Sequence, residues 1–132
     1  MTAIHWLAAT CLLTALFWPT YVLNRLTVRG FWGVVGNPLP TDKPLAAWAQ
    51  RAQAAHRNAV ENLVVFAPLV LAAQALGMGG GITLAASMVY FVARLTHFVV
   101  YAAGLPILRT LAFTAAWLAQ VAIALAILGV VV

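Results

Sequence analysis

A chain of 132 residues has room for a single domain. Hydrophobic residues make up 65% of it and charged ones 7%, against roughly 25% charge in an ordinary soluble domain, which excludes a water-soluble fold. Seven Lys and Arg against Asp42 and Glu61 give a net charge of +5, but the arginines are scattered through apolar runs, not gathered on one polar face, which argues against nucleic acid as a partner.

The chain reads instead as an all-α integral membrane protein. Its first apolar run, residues 3–26, suits a hydrocarbon core of about 30 Å, which takes about 20 helical residues. The leading MTAIH lacks the basic start of a secretion signal, and Ala8-Ala9-Thr10-Cys11 is a poor cleavage site, so the run is expected to be retained as a span. Pro19 is expected to kink it, with Trp18 and Tyr21 as interfacial anchors and Arg25 and Arg29 at its exit. Residues 30–44, GFWGVVGNPLPTDKP, read as a loop from their Gly and Pro content. Thr41 or Asp42 is placed to cap the next helix, with Pro44 near its first turn.

That helix is predicted over 45–76. About 32 residues at 1.5 Å each give roughly 48 Å, so its first turns project beyond the hydrocarbon. Gly77-Met78-Gly79-Gly80-Gly81 is a turn without the Lys or strand context of a phosphate-cradling loop. Spans over 82–103 and 107–132 follow, joined at Gly104-Leu105-Pro106. The whole is one domain, 1–132, a four-transmembrane-helix bundle with both termini on one side. Arg25, Arg29, Lys43, Arg51 and Arg109 collect at the first and third loops and their flanks, while the second loop and the termini carry no Lys or Arg. The positive-inside bias places those two loops in the cytoplasm and the termini opposite.

Polar groups enter the spans at defined spacings. Arg57 and Glu61 are four apart, and Asn58 and Glu61 three apart, so the three share one side of the second helix. Tyr90, Arg94, His97 and Tyr101 follow i, i+4, i+7, i+11, a polar stripe on one face of the third. Arg109 and Thr110 open the last. A charge near the bilayer centre costs on the order of 3 kcal/mol, so Glu61 and Arg94 are expected to find opposite charges inside the bundle. Two readings stay open: a buried ion pair that locks helices together, or an arginine-rich pocket for a small ligand bearing carboxylates. Metal binding is disfavoured, because His56 and Glu61 are five residues apart and His97 has no second ligand at suitable spacing. Cys11, the one cysteine, excludes an intrachain disulfide and is expected toward the other membrane face.

Residues 51–61 carry R-x-x-x-A-H-x-N-x-x-E as Arg51, Ala55, His56, Asn58 and Glu61, with Phe66 following. A second motif, A-R-x-x-H-x-x-x-Y, is present as Ala93, Arg94, His97 and Tyr101, and leads to Pro106 and Arg109. In the first loop Val28-Arg29 is followed eight residues on by Asn37-Pro38. In this order, within four spans, the motifs resemble the membrane-associated proteins in eicosanoid and glutathione metabolism, the MAPEG family. The chain is similar to a bacterial-type member near its microsomal glutathione transferase and prostaglandin E synthase branches.

That resemblance implies a homotrimer in a bacterial inner membrane, with glutathione as co-substrate bound between subunits near the cytoplasmic face and no metal. Carried over, Arg57, Asn58 and Glu61 would hold the peptide part, and Arg94, His97 and Tyr101 would line the same site. Arg29 would reach in from the adjacent subunit, and Arg109 with Thr110 would sit nearest the sulfur. A free thiol, with a reference pKa of about 8.5, is a poor nucleophile near neutrality. A guanidinium or hydroxyl beside it stabilises the thiolate. A hydrophobic small-molecule substrate would enter laterally from membrane lipid. The implied activity is a glutathione-dependent transferase or peroxidase. The rival is a non-catalytic relative that binds lipid or another ligand, or an accessory subunit of a membrane complex. Departures from the prostaglandin E synthase branch are Ala54 in place of an arginine, Phe31-Trp32-Gly33 in place of a basic cluster, and a Tyr101 to Arg109 spacing of eight.

Overall fold

The computed structural model describes residues 1–131 and is helical throughout its ordered elements. Helix α1 (Ala3–Ala15) and α2 (Trp18–Val35) make up the first membrane-length stretch, followed by α3 (Ala47–Ala75), α4 (Gly81–Ala103) and α5 (Pro106–Ile127). Ala3–Val35 and the three later helices are each long and apolar enough to cross a membrane, which makes this a multi-pass membrane protein.

The first stretch is interrupted at Leu16 and Phe17, and Pro19 lies in the first turn of α2, where a missing N–H costs nothing. Phe17 is buried at the break and stacks on Phe98 of α4, ring centroids 3.8 Å apart. Helical structure then runs on to Val35, where a loop was expected from residue 30. The reason is Gly30: its φ of 70° bends the chain sharply, while the apolar residues Phe31 to Val35 resume the helix. The cap of α3 also differs from expectation. Its N-cap is Ala46, whose amide donates to Asn24 Oδ1 at 3.0 Å, so a side chain from α2 does what Thr41 or Asp42 was expected to do.

Small residues let the helices approach closely. The buried face of α3 is built from Ala49, Ala52, Ala55, Ala59 and Ala73 with Phe66 and Val70, and its Phe66, Val70 and Ala73 share a core with Ala86 and Ala93 of α4 and Ala116 and Ala119 of α5. In lipid, where apolar surface gains nothing by leaving water, such close backbone approach supplies dispersion energy instead. Phe66 stacks on Tyr90 in the centre of this core, centroids 3.7 Å apart and planes 8° from parallel. The outer surface carries exposed Leu71, Val92, Leu111, Trp117 and Leu118, the apolar shell a hydrocarbon solvent requires.

Candidate functional site

Glycine punctuation and a cation fix the end of α4 where the site residues gather. Gly104 adopts the left-handed conformation, φ 81°, as the helix C-cap. Arg51 of α3 donates from Nε to the Ala102 carbonyl at 3.0 Å. The guanidinium thus satisfies an end carbonyl and sits at the negative pole of the helix dipole. Arg51, first residue of the α3 motif, has a structural task inside the subunit.

About two turns back along α4 the polar stripe points into the bundle. Arg94 is 2% exposed, and its Nη2 donates to Asn58 Oδ1 of α3 at 2.9 Å. Its Nε and Nη1 are buried and have no partner among the described residues. Because Asn58 accepts through Oδ1, its amide nitrogen is left to donate elsewhere. Asn62, one turn on, donates to the Asn58 carbonyl at 2.9 Å and accepts from Gln120 Nε2 of α5 at 3.3 Å. Asn58, Asn62, Arg94 and Gln120 therefore form a polar band joining α3, α4 and α5. Gln120 escapes sequence reasoning. Its signal is weak but present: a lone amide, 5% exposed, in an otherwise apolar stretch of α5.

His97, also 2% exposed, meets the edge of Tyr101, centroids 5.5 Å apart at 79°, and its Nδ1 has no partner among the described residues. Arg109 of α5 lies with its Cζ 4.7 Å from the centre of the Tyr101 ring, a cation–π contact. Phe113 flanks His97 from α5. The structure thus brings Arg94, His97, Tyr101 and Arg109 to one side of the α4–α5 pair. Thr110 is exposed, and its hydroxyl donates to the Pro106 carbonyl at 3.0 Å.

Arg57 and Glu61 lie elsewhere. Both are exposed, on an open groove of about 460 Å³ that they share with Tyr21, Gln53, His56 and Val60. Tyr21, a residue the sequence offers only as an interfacial anchor, reaches His56 Nδ1 through its hydroxyl at 2.9 Å. The expected pairing of Glu61 with Arg94 or Arg57 inside the subunit is absent. The ion pair among the described residues is Arg29 with Asp42, at 2.9 Å. Asn58 and Glu61, three residues apart, differ by about 60° around the axis; Asn58 bonds Arg94 of α4, while Glu61 lies at the exposed edge of that side on the groove. Arg29 itself lies in α2 and bonds to Asp42 and the Lys43 carbonyl of the first loop, away from the other candidate residues.

Four membrane-length helices, a buried guanidinium without a counter-charge, and a carboxylate left free on an outer face define a membrane bundle with a divided polar site. Against models of known families, residues 3–129 match the MAPEG family. The chain belongs to that family. No curated protein and no solved structure matches it.

Proposed function

We propose that this protein is a glutathione-dependent membrane transferase or peroxidase acting on hydrophobic electrophiles at the membrane boundary, working as a homotrimer with glutathione between subunits. The observation that carries this reading is the mismatch of charges within one subunit. Arg57 and Glu61 lie exposed on one face, and Arg94, His97, Tyr101 and Arg109 gather on another, with buried donors of Arg94 and the His97 Nδ1 unpartnered among the described residues. The tripeptide offers two carboxylates, an amino group and a thiol. Arg57 and the free amide of Asn58 suit the carboxylates, and Glu61 suits the amino group. Glutathione accordingly fits the donors present.

Arg109, held on the Tyr101 ring, is the cation for the sulfur. Beside it the thiol loses its proton to water, and the thiolate attacks the electrophilic carbon. With an aryl halide the C–S bond forms as the carbon–halogen bond breaks and halide leaves. Positioning and thiolate stabilisation together supply the rate.

The test compares purified wild type with Arg109→Ala in detergent, following conjugation of an aryl halide and the ultraviolet absorbance of bound thiolate. Wild type is expected to turn over, and Arg109→Ala to lose about a hundredfold in kcat with loss of the thiolate band, the scale of one lost electrostatic contact in a transition state. Absence of glutathione-dependent turnover and of thiolate in wild type refutes the proposal and favours a non-catalytic ligand-binding role.

A further inference from the structure

Arg29 is built into a frame that neither the polar band nor the motifs explain. Gly30 follows it with a left-handed backbone, so α2 breaks directly after Arg29 and the chain turns back over it. A Cβ at Gly33 would overlap the Arg29 Cβ, so residue 33 lies against Arg29 only because it is glycine. From the other side the loop closes on the guanidinium. Nη1 donates to Asp42 Oδ2 at 2.9 Å and Nε to the Lys43 carbonyl at 2.6 Å. The same Asp42 oxygen accepts from the Leu39 amide at 3.1 Å, and the Asp42 amide donates back to the Leu39 carbonyl at 3.0 Å. Asp42 is thus at once the pivot of a turn and the partner of Arg29.

These bonds engage Nε and Nη1 and leave Nη2. The guanidinium borders an open groove of about 650 Å³ whose other polar lining includes Asn37, Thr41 and Lys43. A carboxylate that contacts Arg through one oxygen, as Asp42 does, leaves part of the planar fork for a second acid. An arginine already held in place also loses less rotamer freedom on binding than a free one.

We propose that Asp42 is a positioning residue, holding Arg29 so that its remaining guanidinium edge meets a carboxylate of glutathione bound to a neighbouring subunit. This rests on the functional reading above. Asp42 does not touch the ligand and acts only through Arg29.

The test uses full-length protein in detergent micelles, with assembly checked by light scattering. For wild type, Asp42→Asn, Asp42→Glu, Arg29→Ala and the double variant Arg29→Ala/Asp42→Asn, KM for glutathione and kcat are measured with an aryl halide, alongside the thermal shift produced by glutathione. Asp42→Asn is expected to raise KM about tenfold, the scale of one charge-assisted contact, with kcat at saturation unchanged. Asp42→Glu recovers most of that affinity. In the Arg29→Ala background Asp42→Asn adds nothing further, as residues acting as one unit require. Asp42→Ser keeps an acceptor for the Leu39 amide, removes the charge, and stands in with the same expectation if Asp42→Asn does not assemble. A lowered melting temperature with unchanged KM, or equal effects with and without Arg29, overturns the proposal and makes Asp42 a loop latch. Wild type that shows neither a shift nor turnover with glutathione overturns the functional reading itself. A responsive wild type with an indifferent Asp42→Asn overturns this inference alone.

Discussion

Arg94→Met asks directly why the bundle buries a guanidinium. Methionine keeps an apolar stem of similar reach and removes the charge. An ionised side chain at mid-membrane costs about 3 kcal/mol on insertion scales, and Arg94, 2% exposed, has no carboxylate partner among the described residues to offset it. Against that gain stand the lost bond to Asn58 and the side-chain oxygen left without a donor, roughly 2–3 kcal/mol together. The difference predicts a variant between neutral and about 1 kcal/mol more stable than wild type without ligand. With glutathione the order reverses. At a concentration a hundred times Kd the ligand adds about 2.7 kcal/mol to wild type. If the free Asn58 amide and the Arg94 donors together account for a tenfold affinity, the same concentration adds about 1.4 kcal/mol to the variant. Reversible unfolding in mixed detergent, followed by circular dichroism with and without glutathione, measures both. An Arg94→Met protein destabilised by more than about 2 kcal/mol without ligand refutes the reasoning, because it shows that the guanidinium is compensated by contacts elsewhere in the assembly.

Two further substitutions test the frame around the site. Gly104→Ala forces an L residue into φ 81° and places a Cβ 3.2 Å from the Arg51 guanidinium; a loss of about 1–2 kcal/mol in detergent unfolding is expected, and an unchanged midpoint would remove Gly104 as the required cap. Phe66→Ala empties the position stacked on Tyr90 at the centre of the core, with an expected cost of about 3–5 kcal/mol. A loss under 1 kcal/mol in the same assay would mean that the α3–α4 seam collapses around the gap.

The helices were legible because hydropathy and membrane thickness constrain each span independently of its neighbours. Tyr90, Arg94 and His97 were legible as one face because their spacing follows the helical repeat, and all three are buried on α4. The pairings were not. Arg29 meets Asp42 thirteen residues away across a loop, and Gln120 meets Asn62 from a helix fifty-eight residues distant; no periodicity connects such positions. Spacing places Asn58 and Glu61 on one side of α3 but does not say which of them meets α4. Gly30 misled for a related reason. Its composition signals a turn, and a turn is present, yet the four apolar side chains of Phe31–Val35 are enough for the helix to resume.

Five of the seven basic residues divide by task. Arg51 closes the end of α4, and Arg29 binds its own loop. Both satisfy backbone carbonyls inside the subunit, as Lys and Arg near helix ends commonly do. Among the described residues Arg57, Arg94 and Arg109 have no acidic partner, and Glu61, an acid in the membrane-length helices, pairs with no cation. Leaving both signs unpaired on different faces of α3 and α4 is costly for an isolated subunit. Under the proposed function, a zwitterionic ligand held between neighbouring subunits would offset that cost. Asn58 is the hinge of that arrangement. It bonds Arg94 on the buried stripe of α4 while sharing a helix turn with Arg57 and Glu61, so under the proposed function it links the two faces.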